Sequence, residues 1–271
     1  MKIDTYRIGF IGFGHMAKII CQSLISSKLT PRSHIFFTVR DSSKIHKVEQ
    51  EFRITATTLE TLVSRSDLIL LCVRPGQAGD ILTALAPFKL EGKGFISILA
   101  GVKISYFEKF LDKCTLIRAM PNIASEVGEG MTILTFGLDA SAEMKSLINL
   151  LFSSMGRTIE LPETLMDIAT AIAGSGPAFV FSLIEAVARL GEKEGIAYEQ
   201  SIQMAAQTFL GAARIILQGG ASVEDLLGQI ALPNGTTEAG IKVIKALEIE
   251  KHFQSVIQAA ASRSKAISQE I

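Results

Sequence analysis

Two different patterns of apolar residues divide this chain. Up to about residue 160, short apolar runs alternate with stretches of helical period, which predicts strands alternating with helices. The runs are continuous, as in parallel strands buried on both faces. We therefore predict an α/β fold with a Rossmann-like, doubly wound sheet of seven or eight strands. The predicted strands include 8–11, 34–39, 67–73, 95–99, 115–120 and 131–136, and the predicted helices include 15–27 and 141–155.

Helical periodicity replaces the strand pattern after Pro162 and continues to the C-terminus. Apolar residues recur at helical spacing from Val180 to Leu190 and again from Ile202 to Ile216. A helical domain of this size cannot easily bury so much apolar surface by itself, which favours dimerisation over a tight monomeric bundle. We predict a Rossmann domain over residues 1–160 and an all-helical dimerisation domain over residues 161–271.

The first predicted strand ends in a glycine-rich turn. Gly12 and Gly14 are followed by Ala17, which is the spacing of a dinucleotide-binding turn with alanine in the third small position. Gly12 permits the tight turn, Gly14 lets a pyrophosphate approach the backbone, and Ala17 lets the helix pack on the strand. The helix N-terminus then offers free N–H groups to the phosphates. The intervening Phe13, His15 and Met16 are expected at this cofactor site, with Phe13 and His15 contributing through their backbone.

The end of the second predicted strand is where such folds distinguish NAD from NADP. Arg40 is the first residue beyond the strand, and two serines and Lys44 follow it. These residues favour the 2′-phosphate of NADP(H), with NAD(H) as the alternative because Asp41 could face the ribose instead. A solvated polar loop without cofactor contacts is the other interpretation.

Composition and charge narrow the function classes. The formal net charge is zero, so neither nucleic acid nor an anionic membrane surface is expected as a partner. No apolar run is expected to approach the roughly 20 residues that span a bilayer. The first strand starts so early that no signal peptide is expected. Cys21, Cys72 and Cys114 are expected to be buried thiols, no metal-ligand cluster is expected, and a cytoplasmic location follows.

Four segments interrupt the strand and helix patterns for no evident packing reason. One of them, Leu232 to Gly240, opens a helix with Gly235, Thr236 and Thr237, whose N–H groups would form an anion site at the helix N-terminus. An ordinary threonine N-cap is the alternative explanation. The other three segments are Arg118-Ala119-Met120-Pro121-Asn122, Ala124-Ser125-Glu126-Val127-Gly128-Glu129-Gly130 and Gly174-Ser175-Gly176-Pro177-Ala178.

These motifs, in this order along nearly the whole chain, resemble those of pyrroline-5-carboxylate reductases. The resemblance implies reduction of 1-pyrroline-5-carboxylate to L-proline with NAD(P)H, by a homodimer or a higher assembly of dimers. It places Gly235 and Thr236 at the substrate carboxylate and Thr237, as the catalytic side chain, at the imine nitrogen. It also implies that the second domain binds substrate. Cofactor contacts are implied for Val73, Arg74, Pro75, Ala100 and Gly101, and Asn122 would border the nicotinamide together with Met120 and Pro121.

Several positions depart from the usual family pattern. Leu232 and Asn234 stand where the family commonly has serine and glycine, so no side-chain hydroxyl at 232 can reach the substrate. Arg74 replaces a common lysine, Gly76 replaces a glutamine, and Ile123 with Ala124 replaces a Thr-Pro pair. Two alternatives stay open: a β-hydroxyacid dehydrogenase, which needs a lysine that the helix 177–190 lacks, and a catalytically silent NADP-binding regulator.

Overall fold

One eight-stranded sheet forms the centre of the N-terminal part of the computed structural model, which describes residues 3–270. The strand order is β3-β2-β1-β4-β5-β6-β7-β8, and every neighbouring pair is parallel except β6 and β7. The strands are β1 (Ile8–Ile11), β2 (Ile35–Thr38), β3 (Thr55–Ala56), β4 (Leu68–Leu71), β5 (Gly94–Ser97), β6 (Thr115–Met120), β7 (Gly130–Phe136) and β8 (Gly156–Glu160). The predicted doubly wound α/β fold is confirmed.

Helices connect the strands and make up the rest of the chain. The helices are α1 (His15–Ser26), α2 (Ile45–Phe52), α3 (Leu59–Arg65), α4 (Ala78–Leu85), α5 (Ile104–Phe107), α6 (Ala142–Ser153), α7 (Met166–Ala169), α8 (Gly176–Lys193), α9 (Tyr198–Gln218), α10 (Val223–Ile230), α11 (Thr236–Ala246) and α12 (Ile249–Glu270). One π-helical turn, Thr170–Gly174, precedes α8. Such turns are uncommon and frequently occur at functional sites.

The core lies on both faces of the sheet. Every residue of β1 and of β4 is buried, because helices cover both faces of these central parallel strands. One face carries the cluster around Phe10, Phe37 and Phe152, and the other carries the cluster around Phe95 and Phe107. Strand β1 pairs with β2 on one side and β4 on the other, so the strand order reverses at β1. Ligands bind at the carboxyl ends of strands at such a switch point.

The chain separates into two compact units. The first contains residues up to Ser175 and residues from Ala259 onward, and the second is Gly176–Gln258. The C-terminal part of α12 belongs to the first unit because Ala261 and Ser264 are buried there, and Ser264 Oγ donates a hydrogen bond to Asp167 Oδ1 at 2.7 Å. These units differ from the division at residues 160 and 161, which stays a prediction about domain boundaries.

The second unit buries little of its own apolar surface. Helices α8 and α9 pack closely at Gly191, where an added Cβ would lie 1.9 Å from Ser201 Oγ. Their outward faces nevertheless expose large apolar side chains, including Phe181, Val187 and Leu190, each more than half exposed. This unit therefore has the surface composition of a subunit interface.

Among the residues that the structure describes, one helical stretch, Glu163–Lys193, is long and apolar enough by length and composition to cross a membrane, and an 18-residue window within it has a mean hydropathy of 1.6. The expectation that no apolar run approaches that length is therefore wrong, because residues 168–184 carry no charged side chain. An apolar helix that packs against a second subunit has the same length and composition.

Candidate functional site

The glycine-rich turn after β1 is shaped by Gly12. Its φ of +84° lies in the left-handed region, and its N–H donates a 2.9 Å hydrogen bond to the carbonyl of Thr38 at the end of β2. A Cβ at this position would lie 2.6 Å from the carbonyl oxygen of Cys72. Only glycine fits, because both the backbone angle and the neighbouring backbone exclude a side chain.

Gly14 is a glycine for a different reason. It is the N-cap of α1 with φ of −83°, a value that any residue adopts, and a Cβ there would meet no atom within 4 Å. The first turn of α1 contains no acidic residue, and Ala17 is buried against the sheet. The N-terminal N–H groups of α1 thus face a space that a phosphate oxygen can approach and that a methyl group would fill.

The other residues of the turn contribute unequally. The ring of Phe13 is buried, with its centroid 5.2–5.5 Å from those of Phe10, Phe37 and Phe52, so only its backbone is available to a ligand. Met16 is half-buried and packs against the same core. His15 is exposed, and its Nε2 lies 3.9 Å from Glu126 Oε2.

A cleft of ≈ 250 Å³ lies beside this turn. Its lining includes Gly12, Thr38 and Arg40 from the β1 and β2 ends and Val73 from the β4 end. The position matches that expected for the adenosine half of a dinucleotide. Three further lining residues, Leu59, Asp80 and Ile81, lie in helices without a nucleotide motif, and the sequence patterns did not indicate them.

The loop after β2 separates the two side chains that compete for the ribose. Asp41 Oδ1 accepts hydrogen bonds from Ser43 N at 3.1 Å and from Ser43 Oγ at 2.6 Å, and Lys44 Nζ lies 3.5 Å from Asp41 Oδ2. The bonds donated by Ser43 hold the pKa of the Asp41 carboxyl below its usual value. Arg40 is exposed at the cleft. This arrangement fits a 2′-phosphate better than a free 2′-hydroxyl.

The loops after β4 and β5 hold the next predicted cofactor residues. Arg74 is exposed and begins a turn that includes Pro75, and its N–H donates to Gln77 Oε1 at 3.1 Å. Gly101 has φ of +76°, and a Cβ there would lie 2.7 Å from Ile267 in α12. Packing against α12 therefore accounts for this glycine without a ligand. Ala100 packs against the small cluster around Met120.

Asn122, at the end of β6, is 7% exposed and has both ends of its amide occupied by protein. Its Nδ2 donates to the carbonyl of Ala173 at 2.9 Å, and its Oδ1 accepts from Met131 N at 3.3 Å. The side chain thus joins the beginning of β7 to the π-helical turn.

Sequence reasoning missed the role of Glu163. Its Oε1 accepts a hydrogen bond from Arg118 Nη1 at 2.8 Å and another from the N–H of Ile104 at 2.8 Å. Arg118 is only 3% exposed, so this pair holds β6, α5 and the segment after β8 together. The pairing joins positions 45 residues apart, and neither position alone signals it.

The helical unit carries the second predicted site, at the N-terminus of α11. Gly235 is the N-cap and supplies no side-chain cap, so the alternative of a threonine N-cap is wrong. Asn234 has φ of +60°, and its N–H donates to Glu238 Oε2 at 3.0 Å. Lys242 Nζ also contacts that carboxylate, at 3.0 Å. Thr237 is half-buried in the first turn of α11, beside N–H groups that have no carbonyl partner one turn earlier.

Among residues 3–270, no group of three or more His, Cys, Asp or Glu side chains is arranged to hold a metal ion.

Burial raises the pKa of Cys21 to about 12 and that of Cys114 to about 11, and it also raises the pKa of Cys72. All three thiols are therefore protonated at neutral pH and are poor nucleophiles.

A Rossmann-like sheet with a phosphate turn, a cleft at its switch point and a following helical unit defines a nicotinamide dinucleotide-dependent oxidoreductase. Residues 7–101 match the family model for NADP oxidoreductase, coenzyme F420-dependent, and residues 163–267 match that for pyrroline-5-carboxylate reductase dimerisation. The pyrroline-5-carboxylate reductase of Aquifex aeolicus is 34% identical, over 97% of this chain and 96% of its own length. That of Arabidopsis thaliana is 30% identical, over 98% and 97%.

Solved structures give the same result. The pyrroline carboxylate reductase of Plasmodium falciparum with NADP bound superposes with a TM-score of 0.89 at 27% identity, covering 98% of this chain and 99% of its own. That of Coxiella burnetii also gives 0.89, at 30% identity, covering 97% and 99%. The chain belongs to the pyrroline-5-carboxylate reductase family, and the predicted family resemblance is confirmed.

Proposed function

We propose that this protein reduces 1-pyrroline-5-carboxylate to L-proline with NADPH, as the last step of proline biosynthesis. The observation that carries the proposal is the presence, in one chain of this family, of a dinucleotide turn and of a separate helix N-terminus that begins at Gly235 without a side-chain cap. Family membership argues against the β-hydroxyacid dehydrogenase alternative.

The nucleotide unit would hold the cofactor through its backbone. The N–H groups at the start of α1 bind the pyrophosphate beside Gly14, while Arg40 pairs with the 2′-phosphate. Val73, Arg74, Pro75, Ala100 and Gly101 would line the path toward the nicotinamide. NADPH, when bound, supplies a hydride for the C=N carbon. The Plasmodium relative with NADP bound supports this choice of cofactor, and NADH is the alternative cofactor.

The helical unit would hold the substrate. The carboxylate lies beside Gly235 at the positive end of α11, where the Thr236 N–H binds it, while the Gly235 N–H donates to the Leu232 carbonyl at 3.0 Å. The Thr237 hydroxyl hydrogen-bonds the imine nitrogen. The anionic carboxylate stabilises the protonated imine, which is the better hydride acceptor. A threonine hydroxyl is too weak an acid to protonate the nitrogen alone, so solvent supplies the proton. Leu232 is 63% exposed and offers no hydroxyl, so the backbone must bind the carboxylate.

The helical unit would also form the homodimer, or a higher assembly of dimers, in the cytoplasm, without nucleic acid or membrane partners. Its exposed apolar side chains and its match to a dimerisation family support this. Replacing Val187 and Leu190 together by aspartate should convert the dimer to monomer, since charges do not bury in an apolar interface. Light scattering after size-exclusion chromatography measures the mass, and an unchanged dimer would exclude this face from the interface.

NADPH oxidation with 1-pyrroline-5-carboxylate, followed by its absorbance, tests the reaction. Thr237→Ala should lower kcat about 10-fold if the hydroxyl contributes roughly 1.5 kcal/mol in the transition state. Thr237→Ser retains the hydroxyl and is the matched control. Wild-type protein that binds NADPH but oxidises none with this substrate or with β-keto acids would leave the silent-regulator alternative in place. Equal kcat in Thr237→Ala and wild type would remove Thr237 from the mechanism.

A further inference from the structure

The amide of Asn122 reaches a carbonyl whose usual helical partner is missing. In α-helical geometry the carbonyl of Ala173 accepts from the N–H four residues later, at position 177. Position 177 is proline, which has no N–H. Asn122 Nδ2 lies 2.9 Å from that carbonyl.

We propose that Asn122 is a positioning residue whose amide replaces the N–H that Pro177 lacks, and so fixes the π-helical turn against the nicotinamide side of the cofactor site. This assigns Asn122 an indirect role in place of direct contact with the cofactor. The effect of this positioning on catalysis rests on the proposed function. The hydrogen bond from Asn122 to the Ala173 carbonyl does not depend on it.

The surroundings of the turn connect this bond to the cofactor site. Met120, which would border the nicotinamide, is buried in one cluster with Ala169 and Met166, and Ala100 and Ala173 pack against it. A Cβ on Gly174 would lie 3.6 Å from Met120 Cγ, so the turn approaches that side chain closely. Movement of the turn would therefore displace Met120 and the backbone of the strand end that carries it.

The second hydrogen bond of Asn122 explains why an amide side chain is needed at this position. Oδ1 accepts from Met131 N while Nδ2 donates to Ala173, so the position needs a donor and an acceptor on one short side chain. Aspartate provides only acceptors when ionised, and alanine provides neither. Either change leaves the Ala173 carbonyl without a donor in a largely buried place.

A double-mutant cycle between positions 122 and 177 tests the proposal. Asn122→Ala should lower the melting temperature by about 4 °C and kcat by about 10-fold or more, with a weaker effect on NADPH affinity. Pro177→Ala restores an N–H opposite Ala173. It should therefore recover at least half of both losses in the Asn122→Ala background, while changing either quantity little in wild type.

Thr135→Val is the matched control. It removes another hydrogen bond from a buried side chain to a carbonyl, the 2.8 Å bond from Thr135 Oγ1 to Leu161, and Pro177→Ala should not restore its stability. Additive effects at 122 and 177 would overturn the proposal, as would recovery of melting temperature without recovery of kcat. If Asn122→Ala gives soluble protein only together with Pro177→Ala, that is itself rescue, whereas insolubility in both backgrounds contradicts the proposal.

If wild type shows no reductase activity, the proposed function fails. The double-mutant cycle in melting temperature and the NADPH titration still test the role of Asn122. Coupling in the melting temperature, together with recovery of NADPH affinity, would then support it. Without that coupling, Asn122 would have no link to position 177.

Discussion

Gly12 and Gly14 belong to one motif, but glycine is needed at the two positions for different structural reasons. Alanine should therefore have different effects on stability and NADPH binding at each position. At Gly14 the φ is already accessible to alanine, and the added methyl meets no protein atom within 4 Å. Lower entropy of the unfolded chain favours alanine while the N-cap position disfavours it, so the net change in stability should stay within about 1 kcal/mol.

NADPH affinity should respond strongly to Gly14→Ala. The methyl would occupy the space through which phosphate oxygens reach the N–H groups of α1. Hydrogen bonds to a charged group contribute about 1.5–3 kcal/mol each, so losing one of them weakens binding by roughly 10- to 150-fold. Fluorescence titration with NADPH measures this loss, and thermal melting without cofactor measures stability on the same samples.

Gly12→Ala is the contrasting variant. Its methyl would lie 2.6 Å from the Cys72 carbonyl oxygen and 2.8 Å from Val73 Cγ1, at φ of +84°. Left-handed backbone costs a non-glycine residue roughly 1–2 kcal/mol before any clash is counted, so the apoprotein should melt several degrees lower and bind NADPH weakly. Wild-type NADPH affinity in Gly14→Ala, or a melting temperature as low as that of Gly12→Ala, would refute this account of the turn.

Three other features give direct tests. Arg40→Asp should reverse the cofactor preference by about 100-fold or more, because it exchanges the partner of the 2′-phosphate for a repelling charge; steady-state kinetics with NADPH and NADH decide it, and an unchanged ratio would contradict it. Glu163→Gln leaves the buried Arg118 without its carboxylate and should lower the free energy of unfolding, measured by urea denaturation, by about 2–4 kcal/mol. The double variant Glu163→Gln/Arg118→Met is the control and should lose less stability than the single variant. Cys21 and Cys114, with raised pKa values, should resist iodoacetamide at pH ~8 in the native protein and react in urea, whereas fast native labelling would show that they are accessible.

Local patterns were enough to predict most of the sheet. The central strands are continuous apolar runs because both of their faces are buried, and their predicted positions agree with β1, β2, β4, β5, β6 and β7 to within two residues at each end. Strands β3 and β8 gave no such pattern. β3 has only two residues, and β8 is an edge strand whose side chains are exposed or half-buried, so neither needs an apolar sequence.

The site was predictable where one short segment determines its geometry. The turn at Gly12 and Gly14 is of this kind, since spacing alone fixes which backbone N–H groups face a phosphate. Gly101 and Asn122 are not, because their partners lie far along the chain, in α12 and in the π-helical turn. Their residue types fit a ligand site and a packing role equally well. Only the tertiary contacts show that each residue already has close partners within the protein.

The loop after β2 shows why residue type alone could not decide the cofactor. An acidic residue at this position indicates NAD only if its oxygens are available to the ribose. A carboxylate has about four acceptor positions, and in Asp41 two are used by the N–H and hydroxyl of Ser43 while Lys44 offsets the charge. Ser43 and Lys44 therefore make the Asp41 carboxylate less available to a ribose hydroxyl. It follows that Ser43→Ala, which removes one of those hydrogen bonds, should raise relative use of NADH even though Arg40 is unchanged.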